Sequence, residues 1–532
     1  MTGTDDYAIY REIIEELLSS NEQLSRKTIN RIKNKVCARH HCSRSPSNAD
    51  LLQATIPEEE EILRLFLQKR PVRTVSGVAV VAAMTKPHEC PHGKCAYCPG
   101  GPDLGVPQSY TGHEPATMRG IQNDFDPYRQ VDSRLTQLKT IGHSINKVEL
   151  IVMGGDWCSK PGEYQRYFVK GCLDAMNGTI NESLEESMKQ NETSAIRNVG
   201  LTFETRPDWV TQESIDAMLM MGATRVELGV QTLSDTILET VERGHGVDAT
   251  VNATKLLRDS GLKICYHMMP GLPGTTPERD IETFKQLFED PRFRPDMLKI
   301  YPTIVVKNTK LYNWWKAGTY VPLTNEQIIS VVSTAVNNMP EYVRIQRMQR
   351  DIPLHQIEAG LNQGNLRELV HQRMKEQGLR NPTIRFREIG HFQIRSNEEV
   401  NPDNIQLIRR DYEAADGTEI FLSFEDSSLD VLFGFIRLRH PSDDAFRPEI
   451  ANQSSLIIRE LRVYGPVVEI GKRDDDAWQH LGLGEKMLVA SEELAKSEFD
   501  ATQILVNSGI GVKEYYRGLG YSDIGPYLSK YL

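Results

Sequence analysis

No cysteine follows Cys265 in a chain of 532 residues, so any thiol chemistry belongs to the first half. All eight cysteines lie there, behind no secretory leader, and they do not read as a disulfide framework. No apolar run approaches the roughly 18 residues that a membrane span needs. The longest, residues 75–84, is interrupted by a serine and a glycine and reads as a buried strand. The N-terminus carries Asp5, Asp6, Glu12, Glu15 and Glu16 where a signal peptide has basic residues and an apolar block, which predicts a cytoplasmic protein. Excess positive charge is missing too: 62 Lys and Arg against 73 Asp and Glu give −11, which argues against wholesale coating of nucleic acid. Internal repeats and low-complexity tracts are absent. With 39% apolar and 25% charged residues, the chain is neither disordered nor fibrous. At about 150 residues per domain, its length allows three or four domains.

What is present is unevenly placed. Arg26, Lys27, Arg31, Lys33, Lys35, Arg39 and Arg44 form a basic block with no acid before Asp50. Such a run is either a solvated helix face or a phosphate-binding surface. Cys37, His40, His41 and Cys42 inside it could bind a metal, although phosphate contact or packing fits better.

Helical spacing of Ile9, Ile13, Ile14 and Leu17 predicts a helical, basic region over 1–74. From residue 75 the pattern changes to short β-rich runs at 75–84, 147–153, 198–203, 224–230, 262–269 and 297–303. Their crossover-length separations predict parallel strands in an α/β barrel or open sheet over 75–320. The polar insert 182–198 reads as a loop or frayed helix end. A connecting helical region is expected over 321–395, including a helix at 354–377. The chain turns β-rich again from about 384, and a second module occupies 396–532.

Parallel α/β enzymes gather their chemistry at the carboxyl ends of strands. Here those ends lead to Cys90, Cys95 and Cys98, then to Gly154-Gly155-Asp156, then to Glu204-Thr205-Arg206, with Glu227 and Gln231 on the fourth run and His267 on the fifth. The three thiols have C-x4-C-x2-C spacing. A closed structural zinc site wants four ligands and finds no fourth cysteine nearby, whereas three thiolates suit a [4Fe–4S] cluster with one iron open. A zinc knuckle completed by His88 or His92 is the competing reading.

The triplet, together with Cys98-Pro99-Gly100-Gly101, Glu204-Thr205-Arg206-Pro207-Asp208, Glu227-Leu228-Gly229-Val230-Gln231 and His267-Met268-Met269-Pro270-Gly271, resembles the radical S-adenosylmethionine (SAM) enzymes. Among these the chain is similar to the catalytic subunit of Elongator and its single-chain archaeal and bacterial relatives, from about residue 20 onward. The first thiol spacing is one residue longer than the usual superfamily form, and Asp156-Trp157 stands where the family commonly has Thr-Phe. The resemblance implies a partial (β/α)6 TIM-like barrel that binds the cluster through Cys90, Cys95 and Cys98. SAM would meet Gly154, Gly155, Glu204, Arg206, Glu227, Gln231 and His267.

The second module resembles a GNAT acetyltransferase. It carries Arg459-Glu460-Leu461-Arg462-Val463, a Gln479-x-x-Gly482-x-Gly484 turn opening an amphipathic helix, and Tyr515-Tyr516. Backbone N–H groups at such a helix start can hold pyrophosphate. By resemblance, acetyl-CoA would contact Glu460, Leu461, Arg462, Val463, Gln479, Gly482, Leu483, Gly484, Glu485 and Lys486. Tyr515 and Tyr516 would be catalytic, with Lys147 reaching the thioester from the barrel. The stretch 380–388 lacks the thiols that some relatives use for zinc.

The implied reaction starts from SAM cleavage, takes hydrogen from the methyl of acetyl-CoA, adds the carbon to C5 of the wobble uridine of tRNA and hydrolyses the thioester to leave 5-carboxymethyluridine. The basic residues Arg26, Lys27, Arg31, Lys33, Lys35 and Arg39 would hold the anticodon arm. A homodimer or Elongator-type partner subunits, and no membrane, are implied. A protein lysine acetyltransferase with a structural cluster, and a tRNA-binding scaffold with decayed sites, are the competing classes.

Overall fold

The computed structural model describes residues 3–532 except 21, 23, 43, 70–73, 397 and 466–481. Four helices open the chain: α1 (Gly3–Leu18), α2 (Arg26–Arg39), α3 (Asn48–Gln53) and α4 (Pro57–Leu67). Their apolar stripes meet in one core, with Ile13, Ile14, Val36, Leu51 and Leu63 fully buried. Ser25 caps α2, its hydroxyl accepting from Thr28 N at 3.1 Å.

All six β-rich runs are strands: β1 (Ala79–Met84), β2 (Lys147–Met153), β3 (Arg197–Thr205), β4 (Arg225–Gln231), β5 (Lys263–Met268) and β6 (Met297–Ile300). Three short strands follow, β7 (Ile304–Val306) directly after β6, and β8 (Arg344–Arg347) and β9 (Ile357–Gly360) in the connecting region. Strands β1 to β6 and then β8 form a seven-stranded sheet in that order, with parallel pairing throughout. Its first and last strands do not pair, so the barrel is partial.

The segments between the strands differ from expectation in three places. The insert 182–198 holds a true helix, Leu184–Asn191, because Ser183 and Glu186 make a reciprocal capping box. The helix expected at 354–377 is confined to Leu366–Glu376, since β9 pairs antiparallel with β7 and Gly360, at φ 96°, ends that strand. Residues 384–395 are helical rather than β-rich.

The second module is one twisted sheet of β10 (Gln406–Ala414), β11 (Gly417–Asp426), β12 (Val431–His440), β13 (Ser455–Val463), β14 (Gln503–Val506), β15 (Ser522–Ile524) and β16 (Tyr527–Tyr531), ordered β10-β11-β12-β13-β14-β16-β15. Only β13 and β14 run parallel, and they part after Ile458 and Val506, opening a wedge. A bulge sits at the same point. Arg437 pairs with Glu460 but Leu438 with Ile458, so Arg459 is the extra residue and turns out of the ladder.

Arg459 turns into the barrel. Its guanidinium grips Asp296 at 2.6 and 2.8 Å and Glu419 at 2.5 Å, while Arg439 reaches Asp259 at 2.6 Å and Arg258 reaches Glu419 at 2.8 Å. These groups are essentially excluded from solvent. Buried ion pairs add little net stability, yet their directional bonds fix how two bodies sit. Backbone contact completes the seam: a Cβ on Gly509 would lie 2.3 Å from Val199 O, and one on Gly511 would lie 2.4 Å from Arg197 Cβ. The wedge therefore faces the amino ends of the barrel strands.

Candidate active site

Two cavities lie at opposite ends of the parallel strands. The upper one, at the carboxyl ends, measures about 150 Å3 and is lined by all three triplet thiols. The thiol loop is pinned by Ala96, whose N–H donates to Val241 O and whose carbonyl accepts from Leu311 N, both at 2.9 Å. Cys95 Sγ lies 3.2 Å from His92 Nε2 and 3.7 Å from Arg243 Nη1, and Cys98 Sγ lies 3.0 Å from Ser109 Oγ. The Cys98 thiol, with His92 and the Arg243 charge, holds Cys95 well below the ordinary thiol range and is itself held well above it. Burial pushes Cys90 up to about 11.

The donor set fits an iron–sulfur cluster. A single zinc ion would draw its ligand atoms to within about 4 Å of one another. Among the described residues, only Glu204, Glu227 and His267 bring three ligand atoms within 4.8 Å of each other. That trio is already filled by a cation: Lys299 Nζ lies 3.1 Å from Glu204 and also pairs with Glu227. Neither the three thiols nor any set of them with His88 or His92 meets that limit together, so the zinc knuckle loses its geometric support, and three thiolates are the ligands that an iron–sulfur cluster takes.

Glu204, Glu227, Gln231 and His267 all line the upper cavity, as expected. Arg206 does so too, but its guanidinium is committed to Asp208 at 2.8 Å and His92 Nδ1 at 2.7 Å, which makes it a brace for the thiol loop. The two glycines divide. Gly155, at φ 89°, lines the cavity, whereas Gly154 does not. A Cβ on Gly154 would sit 2.3 Å from Thr85 Oγ1, so packing against Thr85 by itself demands glycine there. The Asp156-Trp157 departure divides likewise. Trp157 stacks on Phe203 at 4.5 Å in the core, while Asp156 faces the cavity with Oδ2 lacking any hydrogen-bond partner among the described residues. Tyr110, Tyr301 and Arg350 also line the cavity. Their sequence signal is slight: Tyr301 ends the β-rich run 297–303, and Tyr110 lies a few residues beyond the thiols.

The lower cavity measures about 610 Å3 and separates the strand beginnings from the β13–β14 wedge. Lys147, Glu460, Leu461, Arg462, Val463, Tyr515 and Tyr516 line it, as expected. Desolvation lowers the Lys147 ammonium below its usual value. Lys263, not foreseen, is pushed down to about 8 by burial and donates to Arg459 O at 3.3 Å. Tyr516 is 5% exposed and packs edge-on against Tyr515 at 5.2 Å. Burial keeps its phenol neutral, above the ordinary range.

Leu483, Gly484, Glu485 and Lys486 are not among the lining residues; Leu483 is buried in the core. Their helix nevertheless starts beside the cavity, since a Cβ on Gly484 would meet Tyr515 Oη at 3.2 Å. Gly482 precedes that helix at φ 68°, and Gln479 lies outside the described residues.

The basic block is partly neutralised. Arg39 pairs with Glu12 and Glu16, Lys35 with Glu16 and Arg31 with Glu22. Lys33 is a correction: it is buried, donates to Asn48 Oδ1 at 3.1 Å and lies under α2 rather than on its solvent face. Arg26 and Lys27 are exposed. His40 pairs with Glu12, and no metal-like trio forms around Cys37 and Cys42 among the described residues.

Comparison with known proteins agrees with this geometry. Family models match at 7–75 (ELP3 N-terminal domain), 85–287 (Radical SAM superfamily) and 295–376 (Radical_SAM C-terminal domain). A tRNA uridine(34) acetyltransferase of Methanocaldococcus jannaschii is 49% identical, covering 98% of both chains. Human Elongator complex protein 3 is 42% identical over 98% of this chain and 96% of its own. The solved structure of Methanocaldococcus infernus Elp3, with residues 1–46 deleted, superposes with a TM-score of 0.77 at 45% identity, covering 86% of this chain and all of that one. With its thiol loop, partial barrel and wedge-shaped second sheet, this chain belongs to the Elongator complex protein 3 family.

Proposed function

We propose that the chain modifies the wobble uridine of tRNA, attaching a two-carbon unit from acetyl-CoA at C5 to give 5-carboxymethyluridine. The observation that carries this is the pair of cavities at opposite ends of the same strands, one walled by three thiols outside any disulfide and the other by an acetyltransferase-type wedge. The relatives named for tRNA uridine(34) acetyltransferase support it.

Cys90, Cys95 and Cys98 would hold a [4Fe–4S] cluster, which with SAM supplies one-electron cleavage and hydrogen abstraction at unactivated carbon. Asp156, with its free carboxylate oxygen, and Glu204 offer acceptors for an ammonium group of SAM.

In the lower cavity, the edge of β13 beyond Ile458 has no strand neighbour on the β14 side among the described residues, so its amides can pair with an extended, amide-bearing arm. Lys147 and Arg197 supply positive charge on its wall. The neutral Tyr516 hydroxyl can donate to a thioester oxygen, and Lys263, near pKa 8, can take or return a proton during hydrolysis. Exposed Arg26 and Lys27, with Arg31, Lys35 and Arg39 once released by their acids, would bind RNA phosphates. The same reading places the protein in the cytoplasm, as a homodimer or with Elongator-type partners.

Anaerobic incubation of tRNA with the protein, SAM, acetyl-CoA and a reductant, followed by nucleoside mass spectrometry, tests this. Carboxymethyluridine should form, and Cys95→Ala should abolish it while tRNA still binds. Product from Cys95→Ala, or acetylation of peptide lysines without SAM, would overturn it.

A further inference from the structure

A partition of charged side chains inside the barrel separates the two cavities. Alternate residues of a strand face one side of its sheet, and here the lumen side is charged: Lys147 and Glu149 on β2, Arg225 and Glu227 on β4, Lys263 and His267 on β5, and Lys299 on β6. From below, Arg462 stands 3.8 Å from Glu149, which pairs with Arg225; Arg225 stands 3.4 Å from Glu227, which pairs with Lys299; Lys299 reaches Glu204 at 3.1 Å. Arg225 lines the lower cavity and Glu227 the upper. One ion pair thus bridges the partition between them.

The partition also shows signs of a missing occupant. Arg225 Nε and Thr202 Oγ1 are buried donors with no hydrogen-bond partner among the described residues. Buried polar groups are nearly always satisfied, so unsatisfied donors point to a ligand acceptor. Gly200 lines the lower cavity just below them, and the surroundings are close enough that a Cβ there would stand 3.3 Å from Thr224 Oγ1 and 3.6 Å from Glu149 Cγ.

We propose that the barrel lumen is the passage and binding site for the acyl end of a thioester, with Arg225 as its gate and with Arg225 Nε and Thr202 Oγ1 as donors to the acyl carbonyl. The inference rests on the function proposed above, in which chemistry in the upper cavity must touch the acyl methyl. An acyl group confined to the lower cavity stays behind the Arg225–Glu227 partition: Gly200 on the wall of that cavity and Glu204 on the wall of the upper one are four residues apart on β3, about 13 Å. A two-carbon group at the tip of a slender arm can enter past Gly200, on the wall of the lower cavity, once Arg225 leans from Glu227 toward Glu149.

Cys265 reports on this passage. It lies between Lys263 and His267 on the lumen-facing register of β5, close to Glu227, Lys299 and Arg225, and is wholly buried. Bromoacetyl-CoA places an electrophilic carbon where the acyl methyl would be; the Cys265 sulfur displaces bromide, forming a thioether and releasing a proton and bromide. Peptide mass spectrometry of the full chain should show Cys265 labelled on the order of 100-fold faster by bromoacetyl-CoA than by bromoacetamide. Acetyl-CoA should protect it, Gly200→Leu should block it, and Cys172, buried behind the sheet, should remain unlabelled. Equilibrium binding of CoA to each variant separates the two failures. If bromoacetyl-CoA binds and competes with acetyl-CoA but Cys265 stays unlabelled, even in Arg225→Ala, the passage is refuted and the function stands. If CoA does not bind at all, both fall.

Discussion

Replacing Asp296 by Asn tests whether the buried ion cluster holds the two modules in register. The carboxylate lies between three guanidiniums, 2.6 and 2.8 Å from Arg459, 3.6 Å from Arg437 and 3.8 Å from Arg258, and it accepts from Ile264 N at 2.9 Å. Asn preserves the shape and one acceptor but removes the charge. Taking one member from a buried pair costs about 3–5 kcal/mol, because the opposite charge stays desolvated and uncompensated. Part of that cost is softened by Glu419 and Glu460, which remain beside Arg459 and Arg437. Arg459, Arg258 and Arg437 hold the Asp296 carboxyl far below its usual range against the opposing effect of burial. A depressed acid contributes stability above its unfolded value of about 3.9 and loses it as pH falls toward the folded value. The gap between wild type and Asp296→Asn should therefore be full at pH 7 and shrink below about pH 4. Differential scanning calorimetry at pH 7, supported by urea titration, reads the loss. Affinity for CoA should fall as well, since Arg459 anchors β13 at the wall of the lower cavity. A variant within about 1 kcal/mol of wild type at pH 7, or a gap that does not change with pH, would refute the argument.

Other expectations follow from single contacts. Gly154→Ala should destabilise the region after β2 by about 2–4 kcal/mol, because its Cβ would collide with Thr85 Oγ1 and φ is 120°; iron content per chain after reconstitution and melting temperature measure it. Glu149→Gln should lose about 3 kcal/mol at pH 7, since Arg225 and Arg462 hold that carboxyl down at about 2; the loss should fade between about pH 4.5 and pH 2, as urea titrations at two pH values will show. Arg26→Ala and Lys27→Ala should each reduce the salt dependence of RNA binding by about one phosphate contact, whereas Lys33→Met should leave that slope unchanged, by filter binding across salt concentrations. Tyr516→Phe should slow acetyl-CoA hydrolysis about 10- to 100-fold with little change in CoA affinity.

Much of the architecture was legible because its signals are local. Three thiols within nine positions, and polar residues at the ends of β-rich runs, need no tertiary information to be read. The limits of the connecting helices were not, since β9 exists only by pairing with β7, more than fifty residues earlier. Lys33 misled for a similar reason: a lysine reads as a solvated charge until Asn48, from a neighbouring helix, is seen to meet it. The charged lumen did leave a trace. Parallel strands covered on both faces read as near-continuous apolar runs, yet here Lys147-Val148-Glu149-Leu150, Arg225-Val226-Glu227-Leu228 and Lys263-Ile264-Cys265-Tyr266-His267 place a polar residue at every second position. One face of the sheet packs on helices and the other does not face a conventional core. Charges so placed must neutralise one another along the strand direction, and that direction is also the line between the two cavities. The feature that makes the sheet unusual as a sequence is therefore the one that connects its two ends.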